Sequence, residues 1–120
     1  MSTATLPHCW DAVTKEQIND LMKRQTIHGE LMTVVRMEMS TGCVVATHSH
    51  PNEQISMVEK GSVKFTVDGK EVVLKAGGVL HILPNLVHSA LALEDSVAVE
   101  MFAPRRDDWI RGDSSYTQKK

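Results

Sequence analysis

From about residue 26 onward the chain is a succession of short runs rich in β-branched residues, each closed by a turn signal. That rhythm leaves few folds open. MTVVRMEM (32–39) alternates, with Val35, Met37 and Met39 facing one way and Val34, Arg36 and Glu38 the other. Ser40-Thr41-Gly42 is a turn, and CVVATHSH is a β-branched run leading into two histidines. SVKFTV and KEVVLK flank Asp68-Gly69, the pair that favours a type I′ hairpin. Ala76-Gly77-Gly78 marks a further turn, and VLHIL, HSALAL and SVAVEMF complete the series. Many short strands at regular spacing predict an all-β sandwich or barrel.

The flanks read differently. Residues 1–25 are expected to form an N-terminal arm, irregular over 1–12 with Trp10 as its anchor. Within the arm, TKEQINDLMK (14–23) predicts a short helix: Thr14 and Gln17 have capping-box spacing, and Ile18, Leu21 and Met22 share a face. The barrel domain is expected over 26–110, and the polar residues 111–120 as a disordered tail. At 120 residues the chain suffices for one domain and is too short for two.

Charge excludes several partner classes. Thirteen basic and fifteen acidic residues leave a formal net charge of −2, with no basic stripe of the kind nucleic acid demands. No apolar run approaches the roughly 20 residues of a membrane span, and the N-terminus lacks the layout of a secretory signal. Cys9 and Cys43 stand far apart and imply no disulfide framework, so a reducing, cytoplasmic location is expected.

Six histidines are the unusual feature, and two of them form HSH. On a strand, His48 and His50 project from the same face and can bite one metal ion from adjacent corners. Gln54 shares their parity, and a bend at Pro51-Asn52 would swing it round as a third ligand. An isolated HSH reads equally well as surface or core histidines. His88, at the start of a distant strand, makes a four-ligand site from two separate segments. His81, inside VLHIL, reads as a barrel-wall residue, and His8 and His28 as surface or structural. Cys43 lies at an odd offset from His48 and reads as small core filler, and the seven methionines as core and interface filling. Ser-His-Asp catalysis has no supporting GxSxG motif. SVAVEMF leaves two options open. Simple patterning buries Val97, Val99 and Met101, whereas a functional reading places Glu100 and Phe102 inside.

The segment 42–61, G-CVVAT-HSH-PNE-Q-ISMVEK-G, resembles the first cupin motif at every spacing. Gly77 followed by Leu83, Asn85 and His88 resembles the second. It departs where Leu83 replaces proline (Pro84 is adjacent) and where Asn85 replaces glycine, Asn being the best substitute in a left-handed turn. Ala92 stands where asparagine is usual. None of these departures touches a metal ligand. The resemblance covers about residues 30–103 and implies a cupin (double-stranded β-helix, jelly-roll) barrel holding one divalent ion on His48, His50, Gln54 and His88. Nickel, zinc, iron and manganese all suit such a donor set. Neutral Gln54, where glutamate is common, leaves the full charge on the ion.

A narrower resemblance runs through HSHPNEQ, ILPNLVH, ALEDS and VAVEMFAPRRDDW to the KdgF-type cupins of pectin and alginate breakdown. It implies conversion of 4,5-unsaturated monouronates to the linear 4-deoxy-5-keto uronate. The family's active-site acid falls on Glu100, its phenylalanine on Phe102 and its arginine on Arg106. The family acid is aspartate, so Glu100 moves the carboxyl by about 1.5 Å, one bond length. Arg106 would clamp a carboxylate, while RRDDW reads equally as surface ion pairs. The rivals are an iron-dependent dioxygenase and a non-catalytic sugar-acid sensor. The expected partners are a small carboxylated sugar and a second copy of the chain, because strands 97–102 and 32–39 carry apolar residues on both faces.

Overall fold

The computed structural model describes residues 6–112 and contains ten strands among them. These are β1 (Glu16–Asn19), β2 (Met22–His28), β3 (Thr33–Met39), β4 (Val44–His48), β5 (Glu53–Lys60), β6 (Ser62–Val67), β7 (Lys70–Lys75), β8 (Val79–Ile82), β9 (His88–Ala92) and β10 (Ser96–Ala103). A single-turn helix, α1 (Asp107–Ile110), follows. One antiparallel sheet runs β1-β2-β3-β10-β5-β8 and the other β4-β9-β6-β7. Neither order is sequential, so the chain crosses between the sheets, and their inner faces close over a shared core.

The local signals take the conformations their chemistry favours. Asp68 and Gly69 both have positive φ, 49° and 82°, and set Val67 opposite Lys70 in the β6–β7 hairpin. Asn85 occupies the left-handed region at φ 67°. The alternation of β3 holds, with Val35, Met37 and Met39 buried. They pack with Met22, Val58, Val63, Phe65, Ala98 and Phe102, and with the buried Cys43.

One expectation needs correction, and one open choice is decided. Residues 14–23 are not helical: Glu16–Asn19 pairs with Met22–His28, and Asn19 Oδ1 accepts the Leu21 amide at 2.8 Å to close the turn. Ile18, Leu21 and Met22 still reach the core, but from a hairpin. An isolated ten-residue helix has little stability of its own, whereas Asn19-Asp20 is good turn chemistry and β1 gains a ladder. The open choice concerns which face of β10 points inward. Ala98, Glu100 and Phe102 face inward at 0%, 7% and 3% exposure, and Val99 is buried as well, at 7% exposure. Register decides this, because Glu100 lies opposite the core residue Val35 on one side and Ser56 on the other.

The arm is pinned through its backbone. Gln25 Nε2 donates to the carbonyls of Trp10 (2.6 Å) and Val13 (3.0 Å), holding a turn of 3₁₀ helix at Trp10–Ala12 against β2. At the other end α1 sets Trp109 against the core. Of the expected disordered tail, 113–120 lies outside the described residues, as do residues 1–5 of the arm. No helix among the described residues is long and apolar enough to cross a membrane.

Candidate metal centre

His48 closes β4 and His88 opens β9, and the two are cross-strand partners in the smaller sheet. Two histidines forty residues apart in sequence thereby become neighbours, with ring centroids 4.3 Å apart. His50 lies beyond the end of β4. It reaches the cluster from the irregular stretch between β4 and the bend at Pro51-Asn52 rather than by strand alternation, and its ring lies 5.5 Å from that of His48 and 4.9 Å from that of His88. One ring nitrogen from each of the three lies within 4.8 Å of the others. Gln54, on β5 of the larger sheet, approaches from the opposite wall, with Oε1 at 3.0 Å from His50 Nε2. Asn85 supports the loop by donating its amide to the His50 carbonyl at 2.8 Å.

Hydrogen bonds fix which atoms face inward. The Nδ1 atoms of His48, His50 and His88 donate to the carbonyls of Ala46 (2.6 Å), Asn52 (3.0 Å) and Leu86 (2.8 Å). A carbonyl only accepts, so the proton belongs on Nδ1 and the Nε2 lone pair is left for an electrophile. Gln54 is oriented by the same logic. Its Nε2 donates to Ser56 Oγ (2.9 Å) and to Glu100 Oε2 (3.0 Å), which turns Oε1 toward the histidines. Two acceptors, Gln54 Oε1 and His50 Nε2, therefore confront each other at 3.0 Å. Such a contact is repulsive unless a cation lies between them. His88 Nε2 is buried and has no hydrogen-bond partner among the described residues. The donor set thus fits a divalent ion. Three imidazoles and a neutral amide would hold it with positions left for substrate oxygens.

The electrostatics agree. Burial pushes the His48 imidazole down to about 4, helped by His88, His50 and Arg106. Burial, then Arg106 and His88, likewise pushes His50 down to about 4. His88 is lowered too, by burial first and then Arg106. All three are neutral at pH 7, the form that coordinates metal. Glu100 goes the other way. Burial raises its carboxyl, against the hydrogen bonds from Ser56 (2.6 Å) and Gln54 and the nearby Arg106 charge.

The arginine pair divides. Arg105 is a surface residue that bonds Asp107 and the Gly29 carbonyl. Arg106 is 1% exposed, lines the cavity with His48, Gln54, His88 and Glu100, and sends Nε and Nη2 to the two oxygens of Asp108 at 2.9 and 2.8 Å. Phe102 bridges the groups, with its ring 5.5 Å from His50 and 5.2 Å from Trp109. His81 stands apart on the outer face, paired with Glu53. Residues not singled out from sequence also belong here: Ser56, the buried Asn52, Trp109 and Arg24. Strand parity flags Ser56, two residues after Gln54. Nothing local flags Asn52, whose role is to tether the Pro104 carbonyl.

The cupin domain family matches residues 35–103. The chain belongs to that family. Its cupin motifs supply the histidine cluster, and similar proteins extend the likeness beyond the motifs. The chain is 28% identical over 103 residues to the pectin degradation protein KdgF of Dickeya dadantii, covering 83% of this chain and 94% of that one. Among solved structures, an RmlC-like cupin from Shewanella frigidimarina superposes with a TM-score of 0.82 at 25% identity, covering 91% of this chain and 99% of that one. KdgF from Halomonas sp. superposes at 0.76 with 27% identity, over 80% and 90% of the respective chains.

Proposed function

We propose that this cupin is a metal-dependent isomerase that opens 4,5-unsaturated monouronates to the linear 4-deoxy-5-keto uronate. The observation that carries the reading is Glu100: a buried carboxyl, raised by burial, hydrogen-bonded to the Gln54 amide that faces the three histidines. The similarity to a pectin degradation protein supports a pectin-derived sugar acid as the substrate class.

The reaction is an internal rearrangement. The C1–O5 bond of the cyclic hemiacetal breaks, C1 becomes an aldehyde as its hydroxyl loses a proton, and O5 is left as an enol on C5. A proton then adds to C4 while the enol oxygen gives one up, and C5 becomes a ketone. No electrons are gained or lost. A divalent ion held by His48, His50, Gln54 and His88 would supply a Lewis acid for the substrate oxygens. Glu100, kept toward its protonated form, donates to C4 as a general acid. Ser56 and Gln54 hold its Oε2, so the carboxyl does not swing. Arg106, held rigid by Asp108, supplies positive charge for the uronate carboxylate, and Phe102 forms the wall beside His50.

The test begins with metal content. The wild type should carry about one ion per chain, as one donor set implies, and His48→Ala or His88→Ala should strip most of it. The loaded protein should then speed the loss of enol-ether absorbance of 4,5-unsaturated galacturonate or mannuronate without consuming oxygen. Glu100→Gln should retain metal and fold yet lose about 10²–10⁴ in rate. Full metal occupancy with no acceleration over spontaneous opening refutes the reading. Oxygen uptake on a small substrate would favour a dioxygenase, and binding without turnover a sensor.

A further inference from the structure

One charged residue of the cavity has no part in that mechanism. Arg24 lies on the inner face of β2, opposite Met37, which is itself opposite Ala98 of β10. It is 6% exposed and lines the same cavity as His48, Gln54, His88, Glu100 and Arg106. Its guanidinium carbon lies 4.3 Å from the Trp109 ring, and that of Arg106 lies 4.1 Å from the same residue's ring. Trp109 therefore holds two guanidinium groups near each other, and its contact with Phe102 ties both to the histidine end of the cavity.

Guanidinium stays charged in proteins and presents several N–H donors in a fixed fork, so two of them lining one cavity suit an anionic ligand. The acids nearby are differently placed. Asp108 takes the Nε and Nη2 edge of Arg106. Glu16 meets Arg24 Nε at 3.5 Å, from the edge strand and with its own side chain 55% exposed. Glu100 bonds to Ser56 and Gln54. The cavity wall thus carries two guanidinium groups at one end and neutral imidazoles at the other. We propose that Arg24 is a carboxylate-recognition residue, acting with Arg106 around Trp109 to select acidic sugars over neutral ones. The proposal deepens the uronate reading and rests on it for the sugar class.

The probes are D-galacturonate and its methyl ester, which share a ring and differ in charge, titrated calorimetrically into the full-length, metal-loaded protein. The wild type should bind the acid about tenfold or more tightly than the ester, the scale of a charge-assisted pair. Arg24→Met should lose most of that ratio by weakening the acid alone, and Arg24→Lys should restore part of it. A purely structural role for Arg24 would shift both ligands together. Glu16→Gln, at a half-exposed site that threatens no core contact, should tighten the acid about two- to fivefold by removing a competing carboxylate. No acid preference in the wild type overturns the proposal. So does a folded Arg24→Met with an unchanged ratio, or, if that variant does not fold, a Glu16→Gln that leaves acid binding unchanged. The absorbance assay separates the two claims. A protein that discriminates acid from ester but does not open the unsaturated ring keeps Arg24 and loses the isomerase. One that opens the ring with KM and ratio unaltered by Arg24→Met keeps the isomerase and loses Arg24.

Discussion

The three clustered imidazoles share a carbonyl bonded to each Nδ1. Each bond fixes a tautomer, and burial then holds the ring neutral. This has a consequence for the metal-free protein. His48 and His50 titrate near 4 when folded and near the ordinary 6.5 when unfolded. Between those values the unfolded chain binds protons that the folded chain refuses. Stability is therefore full above about 6.5 and falls as pH drops toward 4. Glu100 contributes with the opposite sign. Its raised carboxyl favours the folded state below the ordinary value of 4.5, and that contribution is lost as pH rises through the folded value. Three lowered histidines against one raised acid leave the histidine trend dominant over most of the window. Urea denaturation of chelator-treated protein should show the midpoint falling steadily from pH 7 to pH 5. A flat profile would mean that the imidazoles are protonated in the fold as easily as outside it. The residue-scale signals for these three rings and for Gln54 are present in the sequence, because motif spacing reflects the chain length needed to bring them together. Arg24 is absent from that reading, since it lies between the segment 14–23, whose periodicity looked helical, and residue 26, where the β rhythm begins.

At the scale of elements, turns and registers decide what each side chain faces. Gly61 shows how tightly one turn is built. It has φ +83°, and a Cβ there would lie 2.3 Å from Ser96 Oγ and 2.4 Å from the Asp95 carbonyl oxygen. Gly42 has a similar φ of +87° but open space around it. Both are glycines of the same motif, yet the reasons differ. Gly42→Ala should cost about 1 kcal/mol, the strain of a left-handed alanine alone. Gly61→Ala adds a backbone clash and should cost on the order of 3 kcal/mol. Thermal melts of the two variants check the difference, and equal shifts would discount the close approach to Ser96. Register matters equally for β10. Sequence alternation alone put its valines inside, whereas pairing with Val35 and Ser56 turns Glu100 inward. A one-residue slip would exchange the two faces and remove the acid from the cavity.

At the scale of the whole molecule, one sheet face among the described residues is apolar enough to call for a partner. The outer face of the larger sheet aligns Val99 with Met57 and Val79, and Met101 with Val34 and Ile55. Val79 is 59% exposed, and Val34, Ile55, Met57 and Met101 are half-buried. A second copy of the chain laid sheet to sheet would cover this face, as proposed from the two-sided character of strands 32–39 and 97–102. Light scattering at micromolar concentration should give twice the 13.3 kDa chain mass, and Met57→Lys should shift it toward the single chain. A wild type that stays a stable monomer would leave the face simply as solvent-exposed surface.

Sequence alone determined what depends on short-range chemistry. The Asp68-Gly69 hairpin, the alternation of β3, the left-handed Asn85 and the two histidine motifs follow from properties of a few adjacent residues and from the spacing between them. Only the tertiary structure decided the rest. The segment 14–23 became a hairpin because β2 offers a ladder that no local propensity outweighs. Glu100 turned inward because two neighbouring strands set its register. The environment of Arg106, with Asp108 on its fork and Trp109 shared with Arg24, joins β2, β10 and α1, segments some eighty residues apart in the chain. Contacts of that separation leave no periodic trace in sequence, because each partner is chosen by packing against residues the local window does not contain.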